Sequence, residues 1–283
     1  MIVLSPRQGA ELLRARAAGQ PSIEASLDLG RSRVSLRIDS QGATAPDGIK
    51  LAWELIEEIA ASSPACYEVD GDGARRIQRF SEQTDRVYSL YPTDGPPTML
   101  VGGFQMHRTK GIDPAGDTQQ KVRPLLGPGS RVFDRVLDVC TGLGYTAIAL
   151  AEHAREVTTI ELDPEAHEIA RRNPWSEPLF SLPNIRRLLG DACDLITTFE
   201  AGAFERIVHD PPTLSLGGDL YALAFYRELH RVLGDRGRLF HYIGDPRSMS
   251  GARVTKGVVR RLHEAGFRRV EGRPAGYGVL ASK

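Results

Sequence analysis

A chain of 283 residues, 41% of them hydrophobic, is long enough for one sizeable core with an appendage, so one or two domains are expected. Its 36 lysines and arginines balance 36 aspartates and glutamates, so overall charge points to no anionic partner and local charge has to be read instead. Cys66, Cys140 and Cys193 are odd in number and form no CxxC pair, and no apolar run approaches the roughly 20 residues of a membrane span, so disulfide scaffold, zinc site and membrane segment are all disfavoured and a reducing, cytoplasmic setting is expected.

The first hundred residues differ in pattern from the remainder of the chain. QGAELLRARAAG has helical spacing, SIEASLDLG and RSRVSLRIDS alternate like half-buried strands, GIKLAWELIEEIAASS is an amphipathic helix, and RVYSLYPT and TMLVGG are short strands. This predicts a small α+β domain over residues 1–105. From about residue 117 helix and strand alternate: DRVLDVC, a helix over 145–154, EVTTIEL, a helix over 164–172, IRRLLGDA, FERIVHD, a helix over 219–233, GRLFHYIG, a helix over 252–265, FRRVEGR and YGVLAS. Such alternation means a parallel sheet with helices on both faces.

In VLDVCTGLGYTAIAL an apolar strand runs into Gly142 and Gly144 and then into a helix opening at Tyr145. Two glycines let the backbone approach a ligand at a helix amino terminus, which favours a nucleotide-like ligand over a mere tight strand-to-helix connection. The next strand ends in Glu161, 19 residues beyond Gly142, the distance at which an acid bonds ribose hydroxyls. A dinucleotide fingerprint wants a third glycine, and Ala147 stands there. Asp138 follows an apolar strand, so its burial is costly unless paired; Asp191 either caps the short helix after it or binds a ligand.

With an acid in the first strand, a GxG turn, an acid ending the second strand and a further acid after the third, residues 117–283 resemble class I S-adenosylmethionine-dependent methyltransferases, and a methyltransferase domain is expected over residues 106–283. The resemblance implies a Rossmann-like α/β fold with a seven-stranded, mostly parallel sheet. It places Asp138 near the methionine amino group, Glu161 on the ribose and Asp191 at the adenine amine, and it adds Cys140, Thr141, Gly142, Gly144, Tyr145, Leu162 and Ala192 as cofactor contacts.

The stretch IVHDPPTLS then acquires a purpose. Pro211 and Pro212 keep the chain from turning helical after Ile207 and Val208 and so aim Asp210 and the Pro211 carbonyl. DPPT resembles the (D/N/S)-PP-(Y/F) motif of enzymes that methylate exocyclic or amide nitrogens. The lone pair of an arylamine is delocalised into its ring, and two fixed acceptors on its N–H groups pull it toward an attacking geometry; Asp210 can also take the proton. Methylation at pyrimidine C5 would need a cysteine in this loop, and none follows Cys193. Thr213 stands where the amine enzymes often carry an aromatic, so another ring has to stack on the base; Phe104, Tyr221, Phe225, Tyr226 and Tyr242 are the candidates. His209, by alternation, faces the other side of the strand and is structural.

MHRTKGIDP, NPWS, HDPPTLSLGGDLYALAFYRELHRVL and GRLFHYIGDP, taken with the glycine turn, look like a mainly archaeal group of class I methyltransferases. That resemblance implies a ribosomal RNA substrate, in the small subunit, modified at cytidine N4. His107, Arg108 and Lys110, with Thr213 and Tyr242, are the candidate substrate contacts. Residues 247–273 carry eight basic and two acidic side chains, net +6, whereas residues 1–105 carry 11 basic and 14 acidic, net −3. The asymmetry suits phosphate contacts, or simply a solvated helix face. Three further readings stay open: a small-amine methyltransferase, a polyamine aminopropyltransferase on the same fold, and a non-catalytic cofactor-binding assembly factor.

Overall fold

The computed structural model describes residues 1–127, 131–214 and 216–283. They divide into two units, Met1–Pro114 with Glu168–Glu177, and Ala115–His167 with Pro178–Lys283. The first unit has helices Pro6–Ala17 and Trp53–Ala61 and three small antiparallel sheets. It is α+β, and richer in strand than the pattern suggests, because strands such as Gly42–Thr44, Lys50–Ala52 and Tyr67–Asp70 are too short for an alternation to be read. Its first helix starts at a capping box, in which Ser5 and Gln8 satisfy each other's orphan N–H groups and Pro6 occupies the first turn. Leu12, Leu36, Leu51, Trp53, Ile56 and Ile59 form its core. The NPWS stretch also belongs here: Asn173 caps a 3-10 turn, and Trp175 Nε1 donates to the Leu29 carbonyl at 3.1 Å.

The second unit contains helix α1 (Pro114–Leu126), which begins at the last residue of the first unit, and then strand β1 (Phe133–Val139), α2 (Tyr145–Ala151), β2 (Ala154–Glu161), β3 (Ile185–Leu189), β4 (Phe204–His209), α3 (Leu223–Val232), β5 (Leu233–Tyr242), α4 (Met249–Glu264), β6 (Arg269–Arg273) and β7 (Gly278–Ser282). The strands form one seven-stranded sheet in the order β3-β2-β1-β4-β5-β7-β6. The first five run parallel, and β7 lies antiparallel between β5 and β6. This is the Rossmann-like methyltransferase fold expected from the resemblance. Two helices are shorter than their apolar pattern. The run 145–154 stops at Ala151 because β2 already begins at Ala154. The run 219–233 splits into a 3-10 turn, Gly218–Tyr221, and α3, with Ala222 extended between them (φ −73°, ψ 151°).

Strand register sorts the side chains onto two faces. One carries Leu137, Val139, Ile207, Leu239, Val279 and Ala281, all buried under α3 and α4 against Tyr226, Leu229, Val258 and Leu262. Each such large side chain contributes about 1.5–3 kcal/mol of transfer free energy. The opposite face carries Asp138 on β1, Arg206 and Val208 on β4, Arg238, Phe240 and Tyr242 on β5, and Arg269, Glu271 and Arg273 on β6. Helix α1 lies on this second face, where Arg206 Nε donates to the Leu125 carbonyl at 2.7 Å. Among the described residues, no helix is long and apolar enough to cross a membrane.

Candidate active site

The strand order reverses between β1 and β4, and in an open α/β sheet the crevice beyond the carboxyl ends of two such strands is where ligands bind. Asp138 and the glycine turn flank this point on β1, and Asp210 flanks it on β4, its N–H bonded to the Val139 carbonyl at 3.2 Å.

The turn itself is held tightly. The N–H groups of Cys140 and Thr141 both donate to the Ile160 carbonyl at 3.0 Å, which keeps Cys140 in the left-handed region at φ 73°. A side chain there stores on the order of 1–3 kcal/mol of strain, a cost tolerated where a site needs the geometry. Gly144 (φ 77°) cannot be replaced cheaply, because a Cβ would fall 2.6 Å from Leu179 Cδ2. Burial first, and Glu161 and Asp210 next, push the Cys140 thiol well above its ordinary value, so it is no thiolate nucleophile.

Asp138 is fully buried, and its two oxygens accept from Thr146 Oγ1 and Thr159 Oγ1, both at 2.7 Å. Thr141 Oγ1 lies 2.6 Å from Thr159 Oγ1 and extends the relay toward the turn. Burial raises the Asp138 carboxyl, the threonine hydroxyls lower it and Asp210 raises it, leaving it at about 7. Glu161 accepts from Gly142 N at 2.8 Å and from Asp163 N at 3.1 Å, so the second acid braces the turn; burial raises it. Tyr145 and Ala192 are nearly buried, while Leu162 is 42% exposed. Asp191 caps the short helix Ala192–Leu195 by accepting from Cys193 N at 2.7 Å.

Asp210 does not stand alone at its strand end. Its Oδ2 is 2.6 Å from Lys121 Nζ of α1, and the same ammonium is 3.1 Å from Asp117 Oδ2 one turn earlier. Lys121 is 1% exposed and Asp210 19%. Burial depresses the lysine, but Asp210 and Asp117 outweigh it and hold the ammonium charged, above its ordinary value. The ammonium also sits 4.5 Å from the centroid of the Tyr242 ring. Sequence reasoning missed Lys121 and Asp117. Their i,i+4 spacing in DTQQK is visible, but nothing in one sequence joins it to an acid 89 residues away.

Pro211 is buried and Pro212 and Thr213 are exposed. Tyr221 OH donates to the Pro212 carbonyl at 3.1 Å, and Leu216 N and Gly217 N donate to the Thr213 carbonyl, so the loop is fastened just beyond the Pro211 carbonyl, as the Asp210 N–H fastens it just before. Of the candidate stacking rings, Tyr221, Phe225 and Tyr226 are buried in the core and cannot serve. Tyr242, half-buried beside Lys121, remains at the site, and Phe104 is exposed in the other unit. His209 faces the core as expected: fully buried, it lies 3.0 Å from the Leu220 carbonyl and 4.4 Å from the His241 ring, and burial pushes it down to about 4. His107, Arg108 and Lys110 lie in the first unit, where His107 Nδ1 pairs with Thr98 Oγ1 at 3.0 Å.

A buried acid, a glycine turn at a helix amino terminus and an acid at the next strand end make a donor and acceptor set that fits S-adenosylmethionine: carboxylates for its amino and hydroxyl groups and N–H groups for its carboxylate. Residues 136–237 match the family described as Methyltransferase domain, and the chain is an S-adenosylmethionine-dependent methyltransferase. It belongs to the family of uncharacterized protein MJ1233 of Methanocaldococcus jannaschii, with 38% identity over 264 residues covering 91% of this chain and 88% of that one. It is also similar to ribosomal RNA small subunit methyltransferase J of Pseudomonas paraeruginosa, 32% identical over 149 residues, which cover 50% of this chain and 55% of the relative. Its fold is shared with spermidine synthase from Thermotoga maritima at a TM-score of 0.58 and 18% identity, over 76% of this chain and 77% of that one.

The environment of Asp138 carries a pH dependence. A cationic amino group held beside it, as the resemblance implies, would favour its ionised form, so cofactor binding would release a proton wherever the unliganded carboxyl is protonated. Cofactor affinity is expected to rise by about tenfold per pH unit below 7 and to level off above it. Isothermal titration calorimetry from pH 5.5 to 7 reads this directly, and Asp138→Asn should flatten the slope.

Proposed function

We propose that this enzyme methylates an exocyclic amine of a base in RNA, with cytidine N4 of small-subunit ribosomal RNA as the first candidate. The observation that carries the reading is the pairing of Asp210 with the buried Lys121 beside the Pro211 carbonyl. When bound, the cofactor supplies an electrophilic methyl group, and the chain's own residues prepare the acceptor. Lys121 fixes Asp210 through one oxygen and offsets its charge. The carboxylate and the Pro211 carbonyl then accept from the two N–H groups of the amine, turning its lone pair out of the ring plane. As the new N–C bond forms, the nitrogen gives up one proton to Asp210 and thence to water.

The attacking amine is neutral, since a protonated nitrogen has no lone pair to give. The half-length likeness to a ribosomal RNA small subunit methyltransferase supports RNA as its carrier. Tyr242, beside Lys121, is the ring proposed to stack on the base in place of the aromatic missing at Thr213.

Purified enzyme should be incubated with methyl-labelled cofactor and, separately, small ribosomal subunits, bare ribosomal RNA and a polyamine pool, followed by nucleoside mass spectrometry. Label is expected in an N4-methylated cytidine and lost with Asp210→Ala. Label confined to small amines would overturn the reading.

A further inference from the structure

The basic residues of the carboxyl-terminal segment do not form one patch. Helix α4 packs on the face opposite Asp210, through Val258 and Leu262. Arg269 and Arg273 of β6 stand on the Asp210 face, together with Glu271 between them. Register pairs Arg206 with Arg238, Arg238 with Ser282, and Ser282 with Arg269, so three arginines and a serine share one row across four adjacent strands. At the outer end of this row a cavity of about 280 Å³ is lined by Arg238, Arg269, Glu271, Arg273, Leu280 and Ser282.

Three guanidiniums line this cavity, and two of them share its one carboxylate. Glu271 pairs with Arg269, and with Arg273 Nη2 at 2.6 Å, while Arg238 has no ion-pair partner among the described residues. The lining therefore carries a net charge of +2, three arginines less one glutamate, with a serine hydroxyl beside it. The crowding registers further in: burial above all, and Arg238 next, push the buried Arg206 down to about 10. Planar forks converging on a small polar cavity match the oxygens of a phosphate, which Arg binds in bidentate fashion. The cavity also opens on the sheet face that carries Lys121 and Tyr242, so a strand bound there lies on the same side of the sheet as the transfer site.

We infer that this cavity seats a backbone phosphate of the RNA substrate and sets the register in which the target base reaches Asp210; the inference rests on the RNA reading above. Glu271 then serves as the internal stand-in that keeps Arg269 and Arg273 extended until a phosphate displaces it.

The test measures affinity of the full-length enzyme for a fluorescein-labelled 20-nucleotide oligouridylate across 50–300 mM salt, and methylation of bare ribosomal RNA in parallel. Arg238→Gln with Arg269→Gln is expected to weaken binding about tenfold at low salt and to reduce the slope of log K against log salt by about 0.7–1, the share of one phosphate that the protein then leaves unneutralised. Glu271→Gln is expected to move the other way, binding more tightly by severalfold, which a mere folding defect would not do. Cofactor affinity should stay unchanged in both variants, since no candidate cofactor contact lines the cavity. Unchanged affinity and slope in the double arginine variant, while wild-type enzyme still labels RNA, would overturn the phosphate site and leave the RNA reading standing. Wild-type enzyme that labels no RNA and binds no oligonucleotide overturns both.

Discussion

Asp210→Asn is expected to lower kcat for methyl transfer by about 10²–10⁴-fold while leaving cofactor affinity within about twofold. The amide keeps the volume and the position at the end of β4, and Asp117, 3.1 Å from the ammonium, still pairs with Lys121, so the fold has no reason to fail. What is lost is a charged acceptor aimed at the amine, together with the group that takes the proton. Both matter more in the transition state than in the bound ground state, because the nitrogen becomes cationic only as the bond forms. The loss should therefore appear in kcat, with KM for RNA little changed. Single-turnover rates with saturating cofactor measure it. A fall of less than tenfold would remove Asp210 from the chemistry and reduce the two-proline loop to a stiff turn.

The parts of this site that sequence revealed are those in which chemistry and local geometry coincide on a few consecutive residues. The glycine turn after β1 could be read because Gly142 and Gly144 must adopt positive φ, and glycine is the residue that does so without strain. Asp210 could be read because two prolines constrain the backbone beside it. The alternation of strand and helix from about residue 117 onward predicted the sheet, since parallel strands need crossovers and crossovers need length. The first unit was legible in part: its two helices and the strands Ser22–Ala25, Val34–Ile38, Arg86–Tyr91 and Thr98–Val101 stood out, whereas shorter or less regular strands such as Gly42–Thr44, Lys50–Ala52 and Tyr67–Asp70 leave no period to detect. Asp191 shows a different limit, because an acid that caps a helix and one that faces a ligand have the same sequence appearance. Here the cap is made, by a bond to Cys193 N, and the ligand role remains a proposal. Lys121 is the clearest omission. A lysine on an amphipathic helix reads as surface, and this one is buried only because α1 packs on the sheet with Lys121 against Asp210 and Tyr242, a placement set by tertiary packing.

That burial makes Lys121→Met the substitution with the largest expected effect on stability. Methionine nearly matches the lysine stem in volume, so little packing is lost, but Asp117 and Asp210 are left facing each other with no cation between them. Breaking one side of a buried pair costs about 3–5 kcal/mol, because the stranded charge keeps its desolvation penalty. For a unit of this size the melting temperature should fall on the order of 10 °C. The pH dependence distinguishes this cause from a packing defect. In the wild-type protein the raised lysine contributes stability at every pH below its unfolded value of about 10.4, losing it only as pH climbs through the folded value above. In the variant the two carboxylates repel, so their folded values rise above the unfolded ones. The variant should then regain stability as pH falls from 7 toward 5, as one of them takes a proton. Adding Asp117→Asn should restore part of the loss at pH 7, with a coupling of about 0.5–3 kcal/mol. Differential scanning calorimetry of the single and double variants at pH 5, 6 and 7 reads all of this. A loss that ignores pH, and that Asp117→Asn does not relieve, would mean Lys121 acts as filler rather than as the counter-charge holding Asp210 in place.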